Sequence, residues 1–152
     1  YYKHTNMAQR RMFSKNITDS DMFLDMPLSS QALYFHLGMQ ADDDGFVTPK
    51  RILRTIGATA DDLKILITKN YAIPFDSGVI VLTHWNENNY LQKDRYKGTI
   101  YLEEKNKLLC IQNVYTLDTQ VRIGKVGKVG RLQEPKKNSD LDLIRDRFNF
   151  KK

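Results

Sequence analysis

The chain has 152 residues, of which 41% are hydrophobic and 11% aromatic, so it can bury the core of one domain with residues to spare. Its single cysteine, Cys110, excludes an internal disulfide and a multi-cysteine zinc site, and three histidines add few ligands for a structural metal. The net charge of +6 lies entirely in residues 121–152, which carry 10 basic and 4 acidic residues, whereas residues 1–120 carry 14 of each.

The start of the chain has no cleavable signal pattern. We expect Met7 to be the natural first residue and residues 1–6 to be an upstream extension outside the fold. Residues 7–118 are predicted to form the folded domain. No apolar run approaches the ~18 residues that a membrane span needs. These features favour a cytoplasmic protein with no membrane partner.

Residues 17–27, ITDSDMFLDMP, predict a short helix that ends at Pro27. We expect Asp19 or Ser20 to cap it. The side chains predicted to face inward are Met22, Phe23 and Met26.

The next helix is predicted over residues 30–41, because Ser29 is a good N-cap before an apolar stripe. Leu28 can pack on Leu33 as a hydrophobic staple. The predicted inward stripe consists of Leu33, Leu37 and Ala41, widened by Tyr34, Phe35 and Met39.

The sequence DDDG at residues 42–45 predicts a turn before a very short strand at residues 46–47. The aspartates could suggest a calcium-binding EF-hand loop with its invariant glycine at residue 45. Such a loop would need an acid at residue 40 and a glutamate at residue 51. Gln40 and Arg51 stand there instead. We therefore expect a solvated turn.

The stretch TPKRILRTIGATADDLKILITKN predicts two short helices, over residues 49–56 and 59–70. Gly57 can take the left-handed conformation that ends the first helix, and Thr59 with Asp62 forms a pattern like a capping box at the start of the second. The start signals of the first helix are Thr48 and Pro49. The residues predicted to face the core are Ile52, Leu53, Ile56, Leu63, Leu66, Ile67 and Tyr71. Two capped helices across a glycine turn are typical of a helix-turn-helix.

A β-hairpin is predicted next, with strands over residues 72–75 and 79–84 around the turn signal DSG. Pro74 implies an edge strand, because proline cannot donate to a neighbouring strand. Three helices followed by a hairpin predict a winged helix, with residues 75–78 as the tip of the wing.

After the hairpin, a helix is predicted near residues 100–110, marked by Tyr101, Leu102, Leu108 and Leu109. Residues 119–152 are predicted to be a basic, partly mobile tail. Leu141, Ile144 and Phe148 have the spacing of a short terminal helix. The predicted fold class is therefore α+β: a winged helix-turn-helix with a helical extension and a basic, partly mobile C-terminal tail.

Catalytic signatures are missing from the sequence. A phosphate-binding loop ending at Gly127-Lys128 would need glycine at residue 122 and serine or threonine after the lysine, but Arg122 and Val129 stand there. Cys110 lies in an apolar run and is predicted to be a buried structural thiol. We expect no enzyme, no catalytic residue, no metal and no cofactor.

DNA is the predicted partner of the basic residues. In a helix-turn-helix the second helix offers side chains to base edges, while the preceding helix crosses phosphates. A second basic cluster interleaves with Tyr96, which suits phosphate contact and stacking on an unpaired base. The predicted DNA-binding residues are Lys50, Arg51, Arg54, Lys64, Thr68, Lys69, Lys93, Arg95, Lys97, Arg122, Lys125, Lys128 and Arg131.

A protein-binding winged helix, acting as an adaptor or as an inhibitor of a host factor, is the alternative. Residues 1–120 are neutral, and Asp61 and Asp62 on the second helix stabilise its N-terminus but would repel a DNA backbone. For Tyr96, the alternative is a half-buried position at the start of a helix.

Several segments, in this order, resemble the N-terminal domain of replication proteins of Gram-positive phages and prophages, the replisome-organiser group with a DnaD-like winged helix. They are MAQRRMFS at 7–14, ADDDGFV at 41–47, DDLKIL in the second helix of the pair, IPFDSGVIVLTHW at 73–85 and NNYLQKDRYKGTIYLEEK at 88–105. DTQVRIGKV at 118–126 also resembles the tails of this group.

The resemblance implies a protein that binds an origin or assembles a primosome early in phage DNA replication, in the bacterial cytoplasm. It implies duplex or single-stranded DNA as a partner, together with replication or helicase-loading proteins. Larger members carry a second, helical domain for DNA and the helicase-loading machinery, and the similarity here covers about residues 7–110. Homo-oligomerisation stays open.

Overall fold

Residues 8–119 are described by the computed structural model, and over this range the chain has a mixed α+β fold. The helices are α1 (Lys15–Thr18), α2 (Asp21–Leu24), α3 (Leu28–Gln40), α4 (Pro49–Ile56), α5 (Ala60–Thr68), α6 (Trp85–Asn88) and α7 (Leu102–Lys105). The strands are β1 (Phe46–Val47), β2 (Ala72–Pro74), β3 (Ile80–Leu82), β4 (Leu108–Ile111) and β5 (Val114–Leu117). No helix within residues 8–119 is long and apolar enough to cross a membrane.

Helix α3 is the centre of the core. Leu33, Tyr34 and Leu37 are completely buried, and Ala41 just beyond the helix is buried with them, as the apolar stripe predicts. The ring of Tyr34 lies 5.2 Å from Phe23 and 5.7 Å from Tyr71, both edge-on. Edge-on aromatic pairs add to the stabilisation that burial of apolar area gives, so α3 binds the N-terminal segment to the hairpin side of the core.

The predicted helix pair is confirmed. Helix α4 ends at Gly57, whose φ of 72° is left-handed, and α5 begins at Thr59, which forms a full capping box with Asp62. Both helices pack on α3. Thr48 occupies the N-cap position of α4 without a side-chain capping hydrogen bond.

The predicted hairpin is also confirmed, as the larger part of a three-stranded antiparallel sheet. The strand order is β1-β3-β2, so β3 is central and β2 is an edge strand, as Pro74 implies. Pro74 pairs with Ile80, and Val81 pairs with both Phe46 and Ile73. The turn closes at Gly78, whose φ is 84°.

The N-terminal predictions need correction. Two four-residue helices stand where one was expected, and Ser20 caps the second through the amide of Phe23. Met22 is 55% exposed, because the short helix has room to bury only Phe23, with Met26 buried just beyond it. Helix α3 begins at Leu28, which is 81% exposed, so the predicted staple onto Leu33 is wrong.

The helix predicted near residues 100–110 is mostly wrong. Helix α7 has a single turn, and β4 and β5 follow as an antiparallel hairpin in which Leu108 pairs with Leu117. Gln112 and Asn113 turn the chain with φ angles of 50° and 65°. Two consecutive left-handed residues give the tight turn that best fits the twist of a hairpin.

Candidate nucleic-acid interface

The basic residues predicted on the helix pair lie on its solvent side. Lys50, Arg51 and Arg54 are exposed on α4, Lys64 and Thr68 are exposed on α5, and Lys69 just beyond α5 is half-buried. Lys64 forms an exposed ion pair with Asp61, with 3.3 Å between Nζ and Oδ1. Such a pair stabilises little and exchanges readily for another anion.

The carboxylate of Asp62 does not lie on this outer surface. Asp62 is 7% exposed, and its oxygens accept hydrogen bonds from Ser29 Oγ at 2.5 Å, Ser30 Oγ at 3.2 Å and the Thr59 amide at 2.9 Å. These bonds hold its pKa below the ordinary value. The expected repulsion between this residue and a DNA backbone is therefore wrong, and only Asp61 adds exposed negative charge to α5.

The second basic cluster lies on a segment that we call the strap, residues 92–105. Lys93, Arg95 and Lys97 are exposed on it. The Tyr96 hydroxyl donates to both oxygens of Asp44, at 2.8 and 3.0 Å, and accepts from Lys105 Nζ at 2.9 Å. The hydroxyl of Tyr96 is thereby fixed to the domain, but the residue is 44% exposed and lies just after a turn, before α7, so the alternative of a half-buried position at the start of a helix is wrong. Stacking of a base on Tyr96 stays a prediction.

The turn at residues 42–44 binds the strap, so the prediction of a solvated turn is wrong. Asp42 accepts from the hydroxyl of Thr99 at 2.5 Å and from the amides of Asp44 and Phe46. Asp43 accepts from the Lys97 amide at 2.9 Å. We call Asp42, Asp43 and Asp44 the aspartate turn.

Asp44 is the most buried member of the aspartate turn. It accepts from the Thr99 amide at 2.8 Å and pairs with Lys105 at 2.9 Å. Burial opposes the charged ammonium, but the hydrogen bonds that Lys105 donates to Tyr96 and Asp44 outweigh it and raise the pKa of Lys105. The ion pair with Asp44 fixes α7 to the turn.

Arg11 is a site residue that the sequence reasoning missed. Its side chain is 1% exposed, donates to Asp43 Oδ1 at 3.0 Å and to the carbonyl of Ala41 at 2.8 Å, and lies over the ring of Trp85. Its Nε has no hydrogen-bond partner within the described residues. A basic residue in MAQRRMFS gave no sign of such burial, because its partner lies 32 positions away.

A groove of about 670 Å³ separates α4 from the strap. Arg51 of α4 and Lys97 of the strap both line it, together with Arg11 and the apolar side chains of Val47 and Ile52. Two of the predicted DNA-binding groups are thus brought to one groove. Lys64 and Thr68 on α5 do not line it.

Cys110 is exposed on β4, so the prediction of a buried thiol is wrong. It pairs across the hairpin with Tyr115, and its sulfur accepts a hydrogen bond from Asn86 at 3.3 Å. Residues 8–119 contain no group of three or more side chains that could hold a metal ion.

The four predicted contacts of the tail, Arg122, Lys125, Lys128 and Arg131, lie outside the described residues.

Comparisons with protein-family models, with curated proteins and with solved structures gave no match to this chain.

Proposed function

We propose that residues 28–82 form a winged helix-turn-helix that binds DNA. The element order α3, β1, α4, α5, β2, β3, with a three-stranded antiparallel sheet, supports it. The turn at residues 75–78 is the wing. The observation that carries the proposal is the helix pair itself, joined over Gly57 and basic on its exposed side.

In this proposal α5 enters the major groove. Lys64 and Thr68 lie one turn apart on its exposed face and reach base edges. Lys50, Arg51 and Arg54 on α4 contact phosphates. The buried position of Asp62 supports this arrangement, because it removes one of the two carboxylates that opposed it.

The strap and the tail add contacts that do not read sequence. Lys93, Arg95 and Lys97 are exposed, Lys97 lines the groove, and within residues 8–119 none of the three forms an ion pair. Cations that contact phosphates release counterions, so their contribution weakens as salt rises.

The biological role that we propose is initiation of phage DNA replication, as a replisome organiser in the cytoplasm of a bacterial host. It rests on the resemblance of residues 7–110 to that group. Replication or helicase-loading proteins are then the protein partners.

Alanine substitutions test whether α5 reads DNA. Lys64→Ala and Thr68→Ala should each cost about 1–3 kcal/mol on the preferred site and much less on scrambled duplex. Arg51→Ala and Arg54→Ala should weaken binding to both duplexes by similar amounts, because phosphates are alike in both. The measurement is a titration of each variant with both duplexes at two salt concentrations. Unchanged binding in all four variants would reject the helix pair as the reader.

A protein-binding adaptor, or an inhibitor of a host factor, is the second candidate. The second hairpin favours it, because Leu109 and Ile111 are exposed apolar side chains on the same face of β4. Adjacent exposed apolar side chains are a feature of surfaces that bind proteins. Asp61 on α5 also favours it. If the chain shows no salt-dependent binding to duplex or single-stranded DNA, the adaptor hypothesis is favoured over DNA binding.

A further inference from the structure

The groove between α4 and the strap combines free positive charge with an apolar wall. Val47 and Ile52 line it, as do Ile100 and Tyr101 of the strap. Its volume of about 670 Å³ is in the range of pockets that hold small organic groups. A groove of this kind takes a flat apolar group carrying a charge at one end.

The charges of the groove favour an anion. Three cations line it, Arg11, Arg51 and Lys97, against the two carboxylates of Asp42 and Asp43. Both carboxylates already accept hydrogen bonds from the protein on each oxygen. Within residues 8–119 neither Arg51 nor Lys97 forms an ion pair, so their charges remain available to a ligand.

Arg11, which lines the groove, carries an unused donor. Arg11 Nε is buried without a partner within the described residues, although both terminal nitrogens of the same guanidinium are engaged. A buried donor without a partner costs about as much as a lost hydrogen bond.

Tyr101 supplies an aromatic surface. It is half-buried, its ring centroid lies 5.9 Å from that of Phe46, and its hydroxyl lies 3.5 Å from the Thr48 hydroxyl. The ring is therefore held from one side by the sheet. An aromatic ring fixed in this way is the kind of platform on which an unpaired base stacks.

We propose that this groove binds one unpaired nucleotide, with its base against Tyr101 and Ile52 and its phosphate between Arg51 and Lys97. The inference rests on the proposed DNA-binding function and deepens it. The proposal predicts that the preferred DNA is a junction between duplex and single strand. The reason is that Arg51 of α4, which contacts the duplex backbone in the proposed function, also lines the groove. A base inside a duplex is stacked and paired, so it cannot enter without being extruded.

The test uses the full chain and three DNA molecules: a blunt duplex, the same duplex with a single-stranded overhang, and that overhang with abasic sites. The abasic overhang keeps every phosphate and loses only the bases. We expect the normal overhang to bind tighter than the abasic one by roughly 5- to 150-fold, the gain that one stacked base gives.

Two variants locate the effect. Tyr101→Leu keeps an apolar side chain but loses the aromatic face, so the preference for the normal over the abasic overhang should disappear while blunt-duplex affinity stays. Ile100→Asp, at a position 83% exposed, should lower overhang affinity through its negative charge with little effect on folding. The matched control is Tyr90→Leu, which removes an aromatic ring that is 84% exposed and does not line the groove, and the preference should persist.

The outcomes separate this inference from the proposed function. Equal affinity for normal and abasic overhangs, or a preference that survives in Tyr101→Leu, would overturn the groove inference while blunt-duplex binding still supports the winged helix. Failure to bind any of the three DNA molecules would overturn both.

Discussion

At the residue scale, Asp62 joins two helices whose contact decides where α5 lies. Its carboxylate caps α5 through Thr59 and also accepts from Ser29 in the first turn of α3, 33 positions earlier in the chain. A negative charge at a helix N-terminus is stabilised by the helix dipole as well. The capping role was predicted from the spacing of Thr59 and Asp62, but the contact with α3 was not, because it needs the tertiary fold.

Asp62→Asn should lower the free energy of unfolding by about 1–3 kcal/mol, because an amide nitrogen replaces one buried acceptor and leaves donors unpaired. The matched control is Asp61→Asn on the adjacent, exposed residue, which should change stability by less than about 0.5 kcal/mol. Urea unfolding of both variants measures the difference. Equal effects at the two positions would contradict the role assigned to Asp62.

The pH dependence of the same variant follows from the pKa of Asp62. The hydrogen bond from Ser29, followed by that from the Thr59 amide, holds this pKa below its ordinary value of 3.8. A carboxyl with a lower pKa in the folded chain stabilises the fold above the unfolded value and loses that contribution as pH falls through the folded value. The stability difference between the native chain and Asp62→Asn should therefore be full at about pH 6 and shrink below 3.8. A difference independent of pH would mean that the charge of Asp62 contributes nothing.

At the scale of elements, the strap is an irregular segment held by side chains more than by a strand or a long helix. Asp44 alone binds the Tyr96 hydroxyl, the Thr99 amide and the Lys105 ammonium, across separations of 52 to 61 residues. The strap positions Lys97 and Tyr101 beside the groove. Asp44 therefore makes the largest share of the contacts that hold the strap, beside the bonds from Thr99 to Asp42 and from Lys97 to Asp43.

Asp44→Ala should release the strap without unfolding the sheet. Loss of the acceptor should cost about 1–3 kcal/mol, and the Thr99 amide should lose its protection from hydrogen exchange while the amides of β3 keep theirs. Hydrogen exchange followed by residue measures both. The control is Asp94→Ala, an exposed residue of the same strap, which should leave protection unchanged. Simultaneous loss at Thr99 and in β3 would show that strap and sheet open as one unit.

Local signals predicted the helix pair and the first hairpin, while contacts distant in sequence escaped prediction. Gly57 and Thr59 mark helix ends by the conformation of a few adjacent residues. The second hairpin was missed because the spacing of its leucines also fits a helix and because its turn, Gln112-Asn113, lacks glycine. The aspartate turn was taken for a solvated turn because its partners on the strap are far along the chain.

At the scale of the whole molecule, the charge is divided between a neutral body and a cationic tail. In the proposed complex with DNA, α4, α5 and the strap supply the contacts made by the neutral part of the chain. The tail contributes ten basic residues against four acidic ones. Arg122, Lys125, Lys128 and Arg131 are expected to contact phosphates without reading sequence.

Truncation after residue 120 should weaken binding to all DNA sequences alike. Each lost phosphate contact flattens the plot of log affinity against log salt by about 0.9, so the slope should fall by roughly 2 to 4. Titrations of the full and truncated chains at several salt concentrations measure it. A full-length variant with the four tail cations changed to glutamine should give the same slope as the truncated chain. If affinity and slope are unchanged in both the truncated chain and the glutamine variant, the tail does not contact DNA and serves only solubility.

The position of the chain's one tryptophan has a practical consequence. Trp85 is buried, its indole nitrogen donates to the carbonyl of Asp43 at 2.9 Å, and the cation of Arg11 lies 5.1 Å from its ring centroid. Its emission therefore comes from a single site in contact with Asp43 of the aspartate turn and with Arg11, both of which line the groove. Release of the strap would admit water and shift that emission to longer wavelength. The chain thus carries a built-in optical reporter for the region where we place the unpaired nucleotide.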